Sequence, residues 1–351
     1  MISAPVRGTP VVSTLAHGLD QENRLIIALM SASSAAVIFF CPPATVLNGG
    51  QRYLFRMAEA LIAQGIEAVV FEEAGRRPSW FASTAPVVGQ GTFAPNKDQI
   101  LILPEDQRAI VELFASWPQR KIVYMQNHFY AAGGVAAPRS FADFGVTDIL
   151  CSSRVIEAYA RRRHPACKAH VIPCSVDPTL FAPRPKKKQI AFMPRKRPIE
   201  AAFVQDLFAA LTPKAAAWSW MPIVDRTEAE TAALLGESAV FLSLSRLEGF
   251  GLTPIEAMAS GCIVAGFVGG GGRDYATPEN GFWVPTDDPE AVLSEVLAAV
   301  ELAEKPPAAA AARQAYDTAA RATAARYTPA LFQQAVQEIW GKVQKDEKTL
   351  L

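Results

Sequence analysis

Residues 239–261 read AVFLSLSRLEGFGLTPIEAMASG, a stretch in which a strand, a tight turn and a helix start follow one another directly. The apolar run from Ala239 predicts a buried strand that ends near Ser245. Glu248 comes next, then the turn Gly249-Phe250-Gly251, then a helix beginning written in residue types. Thr253 suits its N-cap, Pro254 its first position and Glu256 its third. Thr-x-x-Glu is also a capping box, which by itself would account for Glu256. It accounts for neither Glu248 nor the two glycines. Glycine lets main-chain amides approach a ligand with no Cβ in the way. A helix N-terminus adds unpaired N–H groups and a partial positive charge, so a diphosphate suits this turn. Carboxylates on either side would repel phosphate and, as acceptors only, suit the hydroxyls of ribose and sugar. The chemistry that fits is a nucleotide-sugar.

Outward from this stretch, short apolar runs alternate with helical patterns. Downstream lie CIVAGF, FWVP and the helix DPEAVLSEVLAAVEL; upstream lie QIAFMP, the helix EAAFVQDLFAAL, SWMPIV and the helix TEAETAALL. The first half repeats the theme with AAVIFF, EAVVFEE, QILILP, KIVYMQN, DILCSS and AHVIPC. It also holds the helix GQRYLFRMAEALIAQG, with Leu54, Ala58, Leu61 and Ile62 on one face. Near-continuous apolar strands separated by helices predict parallel sheets covered on both faces. Asp177–Lys188 holds three prolines and a lysine run and reads as a linker. The fold class expected is therefore α/β, two Rossmann-like domains facing across a cleft. An N-terminal domain is expected over 1–183 and a second, which carries the turn above and so would bind the nucleotide-sugar, over 184–328; resemblance to similar enzymes implies that the first is the acceptor side. A C-terminal helix over 329–351, with Leu331, Phe332, Ala335, Val336, Ile339, Trp340 and Val343 as one stripe, must pack on something, and resemblance to similar enzymes implies that it returns to the first domain.

Composition narrows the function. The 351 residues carry 34 Lys+Arg against 34 Asp+Glu, a formal net charge of zero, which argues against a nucleic-acid partner. Five cysteines form no Cys-x-x-Cys pair, so buried free thiols and a reducing, cytoplasmic setting are expected. Leu25–Cys41 is uncharged and largely apolar, but Ser31, Ser33 and Ser34 interrupt it and it falls short of the ~20 residues of a spanning helix. It reads as a short helix followed by a buried strand. No basic region and cleavage site precedes it, as a signal peptide would require.

EGFGLTPIEAMASG resembles the signature of the large retaining glycosyltransferase family with the GT-B fold (glycosyl transferases group 1), whose two glutamates are separated by seven residues. Glu248 and Glu256 have that spacing. AVFLSLS, CIVAGF and NGFWVPTDDPEAVLSEVLAAV also look like that family, as do NGGQRYLFRMAEALIAQG and VIPCSVDPTLFAP in the first half. The resemblance implies a transferase that uses a nucleotide-diphosphate sugar as co-substrate, no other cofactor and no metal, with net retention. Glu256 would bind the ribose and Glu248 the donor sugar. The amides around Gly249, Phe250, Gly251 and Leu252 would hold the diphosphate, with Gly49 and Gly50 closing from the other domain.

The leaving diphosphate gains charge in the transition state, and a cation must meet it. No Asp-x-Asp triplet for a metal occurs; Arg195, Lys196 and Arg197 follow the strand QIAFMP instead, either as a solvated basic turn or as the cation, with Arg195 resembling the family's phosphate-binding arginine. Where the family adds Lys-Gly, this chain has Ile199-Glu200, which leaves the second cation open between candidates. His128 is either a structural or solvent-facing ring or a catalytic residue, since it resembles a family histidine near the donor sugar, and its neighbours Gln126 and Asn127 are equal candidates for sugar contacts. The run VGGGGRDY (268–275) lacks a phosphate-loop ending and reads as a flexible lip, with Asp274 a weaker candidate. Arg161–Arg163 offer either a peripheral contact for anionic lipid at the inner face of the membrane or a solvated helix end. The acceptor would be a glycan, a lipid-linked sugar or another molecule. An isomerase or phosphorylase on the same architecture and a non-catalytic nucleotide-sugar binder are the alternatives.

Overall fold

A computed structural model describes residues 36–45, 49–92, 96–285, 287–305 and 310–348. Two parallel sheets follow one another along the chain. The first holds β1 (Val37–Phe40), β2 (Ala68–Phe71), β3 (Val87–Val88), β4 (Ile100–Pro104), β5 (Arg120–Met125), β6 (Val146–Cys151) and β7 (Lys168–Val171), in spatial order β3-β2-β1-β4-β5-β6-β7. Its helices are α1 (Gly49–Ile62), α2 (Arg108–Phe114), α3 (Ala131–Gly134) and α4 (Arg154–Arg163). The second sheet holds β8 (Lys187–Phe192), β9 (Ser219–Pro222), β10 (Ser238–Leu244), β11 (Ile263–Phe267) and β12 (Phe282–Val284), in order β12-β11-β10-β8-β9. Around it lie α5 (Pro198–Leu211), α6 (Glu228–Glu237), α7 (Leu252–Ala259), α8 (Pro289–Glu304) and α9 (Ala310–Ala324), and α10 (Pro329–Lys348) closes the order.

The central strands explain themselves. Every residue of β1, β4, β10 and β11 is buried, as apolar runs covered on both faces must be. Strand order reverses between β1 and β4 in the first sheet and between β8 and β10 in the second. Ligands of open α/β sheets bind beyond the carboxyl ends of the strands at such reversals. The loops that leave β1, β4, β8 and β10 therefore set the site.

α10 buries Phe332, Val336, Trp340 and Val343. Phe332 meets the ring of Tyr53 on α1 at 6.0 Å, and Arg120 donates to the Val343 carbonyl at 2.6 Å. The helix thus packs on elements of the first sheet.

Several expectations need correction. Leu331 and Ile62 are exposed, because each lies one residue off the helical face that the core covers. Thr253 does not cap α7, which starts at Leu252 with Gly251 at its N-cap in the left-handed region (φ 83°). The capping box is therefore not made, and Glu256 is free for another partner. The lysine run taken as linker is partly strand: Lys187 and Lys188 open β8 and pair with Glu237 and Glu304 at 2.5 and 2.7 Å. The Gly-rich run is no loose lip, since Gly271 donates to the Glu248 carbonyl at 2.8 Å and lies where a Cβ would strike Gly249. The helix expected over the first part of Leu25–Cys41 lies outside the described residues. No helix among the described residues is long and apolar enough to cross a membrane.

Candidate active site

Between the two sheets lies a cleft of about 730 Å³, within the range of small-molecule sites. All four loops at the strand-order reversals reach it: Pro42 and Gly49–Gly50 after β1, Glu105 and Asp106 after β4, Met193–Lys196 after β8 and Ser245–Glu256 after β10.

The turn after β10 is the part best suited to an anion. The N–H groups of Gly249, Phe250, Gly251, Leu252 and Thr253 have no acceptor among the described residues. Its carbonyls, by contrast, are held on every side. Asn127 Nδ2 donates to Leu247 O at 2.7 Å, Ser153 Oγ to Gly249 O at 2.7 Å and Tyr275 Oη to Gly251 O at 2.7 Å. With the carbonyls pinned outward, unpaired amides remain over five consecutive residues at a helix start. Leu247 sits at φ 49°, uncommon for a branched side chain, and such strain persists only where neighbours over-determine it.

The two glutamates flank this turn. Glu248 is partly exposed and pairs with Lys196, whose Nζ lies 2.8 Å from Oε1. Glu256 is buried, and Oε1 receives Nη2 of Arg52, from α1 of the other half, at 2.6 Å. Burial pushes the Glu256 carboxyl up, while the Arg52 charge and hydrogen bond act against that rise. The same guanidinium reaches Glu228 Oε1 at 2.5 Å. Burial opposes the charge on Arg52, yet its acidic neighbours outweigh burial and hold its pKa above the ordinary value.

Arg195 lines the cleft, is exposed, and has no hydrogen-bond or ion-pair partner among the described residues. Gly49 and Gly50 also line it, and a Cβ on Gly49 would press on Leu252 Cδ1 at 3.0 Å. Gln126 and Asn127 lie on the facing wall.

Two expected donor contacts lie elsewhere. Arg197 turns away from the cleft, stacks 4.1 Å from the Phe267 ring centroid and pairs with Glu200 and Asp287. It anchors the start of α5, and Glu200 is thereby occupied. His128 does not line the cavity; its ring packs 4.1 Å from Phe129 and 5.4 Å from Tyr159, and burial lowers its pKa. Asp274 accepts from the Arg154 N–H at 2.6 Å, joining the second half to the start of α4. Arg161 pairs with Glu157, and Arg163 donates to the Arg139 carbonyl.

The residues not foreseen are Arg52, Glu228, Glu105 and Trp80. Glu105 accepts from the Gln126 and Asn127 amides at 3.0 and 2.7 Å, and burial lifts its pKa to about 8. Arg52 and Arg56, four apart and so on one face of the predicted helix, were the one sequence signal available. No group of three or more His, Cys, Asp or Glu side chains among the described residues could hold a metal ion.

Two facing parallel sheets with a cleft at their order reversals make up the GT-B architecture. Sucrose-phosphate synthase from Thermosynechococcus elongatus shares the fold, with a TM-score of 0.65 and 16% identity over 89% of this chain and all of the other. HepE of Anabaena, solved with UDP-glucose, matches with a TM-score of 0.65 and 14% identity over 87% of this chain and 99% of its own. The model of the family described as glycosyl transferases group 1 matches residues 224–317, which include the turn and both glutamates. An alpha-1,6-glucosyltransferase of Actinobacillus pleuropneumoniae serotype 7 (strain AP76) is 27% identical over 240 residues, 66% of this chain and 72% of the relative. The chain thus has the fold of the GT-B glycosyltransferases and, over residues 224–317, is similar to glycosyl transferases group 1.

Proposed function

We propose that the chain transfers a hexosyl group from a nucleoside-diphosphate sugar to a glycan or lipid-linked acceptor, with retention and without a metal. The row of unpaired amides over Gly249–Thr253, with Glu248 on one side and Glu256 on the other, carries this reading. The diphosphate accepts from the amides and from Arg195, so the charge that develops as the C1–O bond breaks meets donors already in place. Glu256 accepts from the ribose hydroxyls, and Glu248, set by Lys196, accepts from a hydroxyl of the donor sugar. The acceptor hydroxyl attacks C1 from the face the diphosphate leaves, and its proton passes to the departing phosphate oxygen. The half over 1–183 supplies the acceptor side and the half over 184–328 the donor side.

UDP-glucose is the first donor to test, since a structural neighbour was solved with it and the relative is named a glucosyltransferase. Nucleotide-sugars are incubated with the protein and consumption is followed by NMR, which also reads the anomeric configuration of the product. One donor is expected to be consumed, to a product that keeps the donor's anomeric configuration, in the presence of a chelator. Inversion, or loss of turnover on chelation, would overturn the corresponding part. Glu248→Ala and Arg195→Ala are each expected to cut turnover on the order of a hundredfold with the fold intact. Unchanged rates in both would remove the assignment of the site.

A further inference from the structure

Arg52 is buried with both Nη atoms engaged, and each partner belongs to the other half of the molecule. Nη1 reaches Glu228 at the start of α6, and Nη2 reaches Glu256 on α7. Rings of Tyr53 and Trp80 lie 5.6 and 5.9 Å from its guanidinium carbon. Burying an arginine costs several kcal/mol unless its geometry and partners are good. Here both acids are used, while the buried Nε has no partner and the residue lines the cleft. Glu256 gives Oε1 to Arg52, and Oε2 has no partner among the described residues.

We propose that Arg52 is a positioning residue for the donor: the first half sends it across the cleft to fix the Glu256 carboxylate in the setting that accepts the ribose hydroxyls. This rests on the reading of Glu256 as the ribose acceptor. A plain tie between domains would need no such link to the carboxylate beside the anion turn, and Glu228 alone would serve it. Burial favours the protonated form of Glu256, which would spoil it as an acceptor, and the guanidinium opposes exactly that loss. The ribose site is therefore complete only when α1 is seated against α6 and α7. Donor recognition and the approach of the two halves become one event.

The test uses the full chain and the nucleoside diphosphate, among UDP, ADP and GDP, that calorimetry finds to bind tightest. Its affinity is compared with that of its 2′,3′-dideoxy form in the wild type, Arg52→Lys, Arg52→Met and Glu256→Gln. The wild type is expected to lose roughly ten- to hundredfold on removal of the hydroxyls, as for hydrogen bonds to a charged acceptor. Arg52→Met is expected to lose twofold or less, and Arg52→Lys, which keeps the charge but not the fork, to fall between. Arg52→Lys carries the test if the methionine variant fails to fold. Full discrimination in the Arg52 variants, together with its loss in Glu256→Gln, would overturn this role while leaving the ribose reading standing. Full discrimination in Glu256→Gln would remove the ribose reading itself.

Discussion

The ammonium of Lys196 stands 2.8 Å from Oε1 of Glu248 and also donates to the Arg246 carbonyl at 3.1 Å, tying the loop after β8 to the loop after β10. The neighbouring Arg195 is left as the exposed cation of the pair, directed to no protein partner among the described residues. The two cations therefore do different work. Lys196→Met should release Glu248 and lower kcat on the order of tenfold, with the donor KM raised as well. Arg195→Ala should lower kcat further, because it removes a donor needed most as the diphosphate departs. Steady-state kinetics of both variants check this; equal, small effects would show that neither cation faces the reaction.

Gly249 lies where any Cβ would land on the carbonyl oxygen of Gln126, in the opposite half. That oxygen is main chain at the end of β5 and cannot swing aside. Gly249→Ala is therefore expected to force the halves apart and break the Ser153–Gly249 hydrogen bond. Each half should keep its secondary structure by circular dichroism, while the donor KM rises tenfold or more and overpacking costs about 1–3 kcal/mol. A wild-type KM in this variant would show that the close approach is dispensable.

His164 is fully buried, its Nδ1 accepts from the Phe141 N–H at 3.3 Å, and burial lowers its pKa to about 4. Above the unperturbed value near 6.5 the ring is neutral in both folded and unfolded chains, so its contribution is intact. As pH falls from about 6.5 to about 4 the unfolded chain takes up a proton that the folded chain refuses, and stability is lost. The melting temperature of the wild type should drop more steeply through this window than that of His164→Asn, whose amide oxygen can still accept from Phe141. Parallel curves would show that the ring titrates alike in both states.

Trp340 is among the largest fully buried side chains, and it sits in the α10 stripe with Phe332, Val336 and Val343. Trp340→Ala should cost about 3–5 kcal/mol through lost burial and the cavity left behind. Urea unfolding measures it, and a cost below about 1 kcal/mol would mean that α10 is not seated.

Much of the fold was legible because its signals are local. Near-continuous apolar strands such as ILILP and the run from Ala239 announce burial on both faces, and Gly249 and Gly251 announce a turn without side chains. β3 escaped notice because two residues carry no period. Thr253 and Glu256 misled as a cap because a capping box and a glycine N-cap compete for the same helix start, and the tertiary pull of Arg52 on Glu256 favours the latter. Arg197 and Arg195 are indistinguishable as letters two apart. Only the packing of Phe267 and Asp287 against one of them separates an anchor from a cleft cation.

By itself the chain's order of residues determined two α/β halves, the turn that offers amides to an anion, and the pair of acids beside it. Each of those depends on neighbours within a few positions, where backbone geometry and burial repeat predictably. The tertiary structure alone decided which side chains meet across the cleft: Arg52 with Glu256, 204 positions apart, and Ser153 with Gly249, 96 apart. Such meetings follow from how two separately built cores dock, and no local period records that.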